Sequence, residues 1–208
     1  MSMARKKPRA KAMRRFGEAM ARAPKYAKIL EKRRQPPGKP KSYARKPARK
    51  EYAVGLTEKQ KLKTLYDIRE TQMRRYFEEA VRKPGRTGDN LLELLERRLD
   101  NIVYRLGFAS TIWGARQLVG HGHVRLNGRR VNVRSHLIEP GDAVTVSEKM
   151  KANPDVQESL RLASAGKLPS YLEFDDATLT GVLVRRPNRV DIPVTVNESA
   201  IVEFYARQ

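Results

Sequence analysis

LLELLERRLDNIVYRLGFASTIWGARQLVGHGHVRLNGRRVNVRSHLIEPGDAVTV, residues 91–146, is the stretch that decides the fold class. Leu92, Leu95, Leu99, Ile102, Val103 and Leu106 recur at three- and four-residue intervals. That spacing predicts one amphipathic helix with Glu93, Glu96, Arg97 and Asp100 largely off its apolar face. Asn90 with Glu93 forms a reciprocal cap and Gly107 a stop. A second helix follows, capped by Ser110, with Ala115, Leu118 and Val119 inward, Arg116 and Gln117 outward, and Gly120 at its end. Val124 and Leu126 alternate before Asn127-Gly128 and Val131 and Val133 after it, and Asn-Gly is a favoured two-residue hairpin turn. Pro140-Gly141-Asp142 then leads into a third strand, Ala143 to Val146, and the expected class is α+β.

Arg125, Arg129, Arg130 and Arg134 decorate the hairpin and its exit, so with Arg116 they form a cationic surface suited to phosphates. Arg98 and Arg105 are open to a second reading, ion pairs with Asp100 or Glu96 at helical spacing. His121-Gly122-His123 with His136 invites a metal, but no cysteine or spaced acid completes a coordination sphere, and a tight turn explains the glycine. There is no phosphate loop, nucleophile elbow or zinc motif, so no catalytic residue, metal, cofactor or small-molecule substrate is expected.

Working outward, the chain of 208 residues carries 44 Lys and Arg against 23 Asp and Glu, a net charge of +21. A polyanion is the partner such a field favours. Residues 1–50 hold nineteen of the basic residues and only Glu18 and Glu31 as acids, so most of the excess is a basic N-terminal arm. Its composition admits a transit peptide, but the basic run continues through Lys50 with no cleavage-like boundary. Met13, Phe16 and Met20 have helical spacing, as do Tyr26, Ile29 and Leu30, yet Pro24 and Pro36-Pro37-Gly38 interrupt them, and a solvated tail is expected in the free protein. Zero cysteines fit a reducing cytoplasm, and no apolar run reaches the ~18 residues that would span a membrane.

Between arm and module, Thr57 with Gln60 reads as a capping box opening a short helix. Met73, Tyr76, Phe77, Ala80 and Val81 make a second amphipathic pattern, which Pro84-Gly85 ends. Beyond Val146, Asn153-Pro154 opens a helix to Ala165, Tyr171 to Phe174 and Leu179 to Val184 read as strands, and Asn197 caps a final helix carrying Ile201, Val202 and Phe204.

The run Glu96 to Thr111, then Ala115-Arg116-Gln117-Leu118-Val119, His121-Gly122-His123 and Asn127-Gly128, closely resembles the S4 RNA-binding module. Tyr66 through Ala80, Thr87-Gly88 and Val196 through Tyr205 also resemble the uS4 family of bacterial small-subunit ribosomal proteins, so the likeness runs from about Ala44 to the C-terminus. The resemblance implies a basic arm over 1–50, a helical domain over 51–92 completed by 188–208, and an inserted S4-type RNA-binding domain over 93–187 with its core at 97–160. It implies binding to the 5′ domain of small-subunit rRNA, nucleation of body assembly, neighbouring ribosomal proteins, mRNA nearby and a role in accuracy. The RNA-contacting residues it implies are Arg105, Arg116, Gln117, His121, His123, Arg125, Asn127, Arg129, Arg130 and Arg134. Arg45, Lys46, Arg49 and Lys50 resemble a segment where mRNA enters, with Lys59 and Lys61 following; a generic basic linker is the plainer reading.

The chain departs from the family in lacking zinc-binding cysteines in the arm. It also has Ile112 and Trp113 where the family typically places a basic and a polar residue, and Arg134 and His136 where Pro and Tyr are common. Trp113 is open to packing, base stacking or contact with a protein neighbour, with packing or protein contact favoured over stacking. Three rivals stand beside the ribosomal reading: an RNA-modifying enzyme docked by the same module, a DNA-binding helix-turn-helix protein, and a module-bearing stress factor.

Overall fold

The computed structural model describes residues 9–33, 35–38 and 50–207, with Lys50 described by its backbone alone. Arg45, Lys46 and Arg49 therefore lie outside the described residues, as does the side chain of Lys50.

In chain order the elements are α1 Arg9–Phe16, α2 Pro24–Lys32, α3 Lys50–Leu65, α4 Glu70–Arg82, α5 Thr87–Glu96, α6 Leu99–Arg105 and α7 Ile112–Gly120. Strands β1 Val124–Leu126, β2 Arg129–Val131 and β3 Ala143–Val146 follow, then α8 Glu148–Lys151, α9 Pro154–Ser164, β4 Leu172–Asp175, β5 Thr180–Leu183, a 3-10 turn at Arg189–Asp191, and α10 Glu198–Ala206. The class is α+β: helices beside one antiparallel sheet of order β2-β1-β3-β5-β4.

The single helix expected from Leu92 to Leu106 is two. At Arg98 the backbone turns extended, with ψ 137°, and pairs with Leu137 instead of continuing the helix. The Leu99 amide donates to His136 O and the Ile138 amide to Arg97 O, so the broken helical bonds are replaced by strand-like ones. Leu91, Leu92, Leu94 and Leu95 of α5 fill one core, with α3, α4 and α10; Leu99, Ile102, Val103 and Leu106 of α6 fill another, with α7 and the sheet. Each fully buried leucine contributes roughly 1.5–3 kcal/mol, and the apolar spacing continues through the break because both cores need it.

Several expected caps move. Helix α5 begins at Thr87, and the Asn90 side-chain Nδ2 donates to the carbonyls of Ala80, Lys83 and Pro84, closing the end of α4. Thr57 lies inside α3, its hydroxyl donating to Ala53 O four residues back, so Thr57 and Gln60 open nothing. Thr111, not Ser110, caps α7 by accepting from the Gly114 amide. Gly120 is the last residue of that helix, and Gly122, with φ 72°, makes the reversal after it. Gly107 does end α6 in the left-handed region, at φ 93°. Asn127 and Gly128, at φ 49° and 79°, make the two-residue turn, pairing Val124 with Val131. Asn153 and Asn197 cap α9 and α10 through their side-chain oxygens.

Helix α10 packs on α3 and α5. A Cβ on Gly55 of α3 would lie 2.8 Å from Ala200 O, so the two backbones approach too closely for a side chain there. Val81 of the α4 pattern stays exposed.

The solvated-tail expectation fails for residues 9–33. Met13, Met20 and Tyr26 are buried with Phe16, Ile29 and Leu30 around them, and Leu65 and Trp113 cover the cluster. Ala21 bridges Thr111, and the Arg22 guanidinium donates to Tyr104 O and Arg105 O at 2.9 and 3.2 Å while lying over the Tyr104 ring. Trp113, half-buried, thus packs on the arm, against Tyr26 with ring centroids 5.9 Å apart and under Arg9 at 4.2 Å.

Candidate nucleic-acid interface

The β1–β2 hairpin concentrates charge at a cost in stability. Register places Arg125 directly opposite Arg130 and Arg129 opposite Leu126 at the turn, and all three arginines are exposed. Like charges facing each other across strands destabilise a hairpin, so packing alone does not favour this pairing. The turn is braced from below: Asn127 Nδ2 donates to Asp142 and its Oδ1 accepts from the Ala143 amide. Among the described residues the Arg125 and Arg130 side chains reach only backbone carbonyls, of Gly128 and His121, each at 3.3 Å, and the Arg129 side chain makes no hydrogen bond or ion pair. Their charges remain uncompensated toward solvent.

His121 and His123 stand beside the hairpin with ring centroids 6.1 Å apart. With Gln117 they form one wall of a groove of about 470 Å³ whose opposite wall is Asp155, Glu158 and Ser159 of α9. Among the described residues the side chains of Gln117, His121 and His123 find no hydrogen-bond partner. Among the described residues no group of His, Cys, Asp and Glu is arranged to hold a metal, and no helix is long and apolar enough to cross a membrane.

Other expected contact residues are turned inward. The Arg105 side chain is 11% exposed and donates twice to Glu96, which is wholly buried. Burial by itself would raise the Glu96 pKa, but the charge and hydrogen bonds of Arg105, with the Tyr66 and Tyr171 hydroxyls, outweigh it and hold the carboxyl below the usual range. Lys59 is 5% exposed and bound to Glu70, and Lys61 reaches Thr195 O and Glu18. Asn127 is the turn's brace. Arg116 is largely occupied too, joining Asp67 O at 2.8 Å and Asp100 at 3.2 Å. Arg98 pairs with Asp100, so of the two readings open for Arg98 and Arg105, the ion pair is the one present for both.

Arg134 is exposed, with its Nε donating to Arg116 O. It opens onto a polar recess that also takes in Gln72, Asn132 and Ser135, which no spacing or charge pattern singles out because they come from distant segments. The outward cationic set is therefore Arg125, Arg129, Arg130 and Arg134, flanked by Gln117, His121 and His123.

Two family models match the chain in succession: the Ribosomal protein S4/S9 N-terminal domain over residues 4–96 and the S4 domain over 97–144. The boundary falls at the helix break. The chain is 47% identical over 200 residues to the small ribosomal subunit protein uS4 of Akkermansia muciniphila, covering 96% of this chain and 97% of that one. It is 45% identical over 204 residues to the same-named protein of Aquifex aeolicus, again covering 96% and 97%. To that of Natranaerobius thermophilus it is 51% identical over 163 residues, 78% of each chain.

Proposed function

The chain belongs to the uS4 family of small-ribosomal-subunit proteins, and from that premise we propose that it is a structural, non-enzymatic constituent of the small subunit that binds rRNA through the hairpin surface. The observation that carries the reading is the like-charged Arg125–Arg130 pair, held opposed by a braced turn and left without a carboxylate. Such a pair gains a favourable energy only when a polyanion lies across it. Rigid spacing of the arginines on a small sheet suits recognition of a folded RNA junction by the positions of its phosphates. Gln117, His121 and His123, facing the acids of α9 across the groove, suit base and sugar edges more than phosphates.

The finer assignment is the 5′ domain of small-subunit rRNA, bound early so that the subunit body assembles around it, in the cytoplasm. Partners in that assignment are neighbouring ribosomal proteins and mRNA where it enters, with Arg45, Lys46, Arg49 and Lys50 as the arm residues that meet them. Residues 1–50 act as the arm, 51–92 with 188–208 as the helical domain and 93–187 as the RNA-binding domain.

Sedimentation of a cell extract tests the reading. The chain is expected to travel with small subunits and to remain through a salt wash that strips loosely bound factors. A chain that stays at the top of the gradient, or leaves in that wash, contradicts it.

A further inference from the structure

Between the two cores lies an open recess of about 280 Å³, lined by Gln72 of α4 on one side and by Arg98, Arg116, Asn132, Arg134 and Ser135 on the other. Among the described residues no carboxylate lines it. Asp100, which is wholly buried, and Asp67, which is not part of the lining, pair with Arg98 and Arg116, leaving one positive charge of the three uncompensated.

The donors in this recess outnumber their acceptors. Nε of Arg134 donates to Arg116 O at 2.8 Å, but its two terminal nitrogens have no acceptor among the described residues. The same holds for Nη2 of Arg116, the amide nitrogens of Gln72 and Asn132, and the Ser135 hydroxyl. The Arg134 guanidinium lies over Gly120, where a Cβ would meet its Nη2 at 2.4 Å, so the glycine admits the arginine to that position. Donors converging from two sides of a small concavity, with net positive charge and no competing acid, match an acceptor with oxygens facing several directions.

We propose that this recess seats one phosphate oxyanion, clamped between Gln72 of α4 and Arg134 at the hairpin exit. Resting on the rRNA-binding reading above, the occupant in the subunit is a backbone phosphodiester; inorganic phosphate offers the same chemistry to the free protein. A seated phosphate would tie the helical domain to the RNA-binding domain, so the recess recognises where a phosphate stands relative to both.

The test uses the full chain and has two arms. In the first, inorganic phosphate is titrated at constant ionic strength while NMR follows the Gly120 and Ser135 amides and the Arg134 Nε–H. Saturable shifts are expected, and Arg134→Gln and Asn132→Asp should abolish those of Gly120 and Ser135. In the second, affinity for small-subunit rRNA is measured against salt for the wild type, Arg134→Gln and Arg134→Lys. Loss of one phosphate contact lowers the slope of log affinity on log salt by ~0.7–0.9 in the glutamine variant, while lysine keeps the slope. A melting curve for each variant confirms the fold, since Arg134 contributes one side-chain hydrogen bond to it. Shifts without a slope change assign the seat to a free anion, and a slope change without shifts assigns it to the phosphodiester. Absence of both overturns the seat. Wild-type protein that fails to bind rRNA overturns the functional reading instead, and the first arm still decides the recess.

Discussion

The hydroxyl of Tyr171 donates to Oε2 of Glu96 at 2.8 Å, joining a residue of the sheet-side core to the last residue of α5. Tyr66 from the end of α3, Asn101 and Arg105 donate to the same carboxylate, so one buried anion collects side chains from both cores. The network lies beside the helix break, where the chain passes from one core to the other without a continuous helix to stiffen it.

Removing that anion should be costly. Glu96→Ala leaves Arg105 buried and unpaired and the Tyr66 and Tyr171 hydroxyls without their acceptor, while Asn101 keeps the Glu96 backbone carbonyl, and is expected to destabilise the fold by about 3–5 kcal/mol in urea unfolding. Glu96→Gln keeps part of the hydrogen bonding and should cost less. An alanine variant within about 1 kcal/mol of wild type would mean the network is not what couples the cores.

A second carboxylate gives a pH signature. Glu70 binds Lys59 and Lys63, and although partial burial pushes its pKa up, the two lysine hydrogen bonds and charges outweigh it and bring it down to about 2. Because the folded pKa is depressed, the stabilisation is complete above the ordinary value of 4.5 and is lost as pH falls toward 2. With the Glu70 side chain 42% exposed, solvent screens the effect. The difference in Tm between wild type and Glu70→Gln should hold steady from neutral pH to about 4.5 and then shrink toward about 2; a difference undiminished at pH 2 contradicts the assignment.

The arm gives a third. Trp113→Ala removes the ring that packs on Tyr26 and lies under Arg9, and the Met13, Met20, Tyr26 cluster is too small to hold alone. Limited proteolysis should cut the variant within residues 9–33 faster than the wild type, while residues 50–207 stay resistant. Equal protection would show that the Ala21–Thr111 bridge and Arg22 suffice.

Trp113 also shows what the sequence makes legible. Spacing identified Met13, Phe16 and Met20 as one face and Tyr26, Ile29 and Leu30 as another, but a face does not name its partner, and the tryptophan that covers them is ninety residues away. The same blindness joined α5 and α6: periodicity records that each residue is buried, not against which core, and the partner segment Leu137 carries no helix-breaking signal. The hairpin was readable because Asn127-Gly128 fixes it locally. The contact residues were half readable: composition marks Arg105, Arg116 and Lys59 as cationic, but only the fold brings Glu96, Asp67, Asp100 and Glu70 to neutralise them.

The hairpin arginines separate function from stability within one variant. Arg125 and Arg130 are cross-strand partners of like sign, and their only hydrogen bonds are single long ones to backbone carbonyls. Replacing both with Ala removes a repulsion, so the free protein should gain stability, by about 0.2–1 kcal/mol on the scale of cross-strand pairs. If those charges face phosphates, the same double variant should lose affinity for small-subunit rRNA, and its salt slope should fall by about 1.4–1.8 for two contacts. The two effects have opposite signs, which a general disruption of the fold cannot produce, since unfolding lowers stability and affinity together. Salt offers a second separation: the stability gain should diminish at high ionic strength, where the repulsion is already screened. A double variant that is more stable yet binds rRNA with the wild-type slope would place the RNA on another face of the protein.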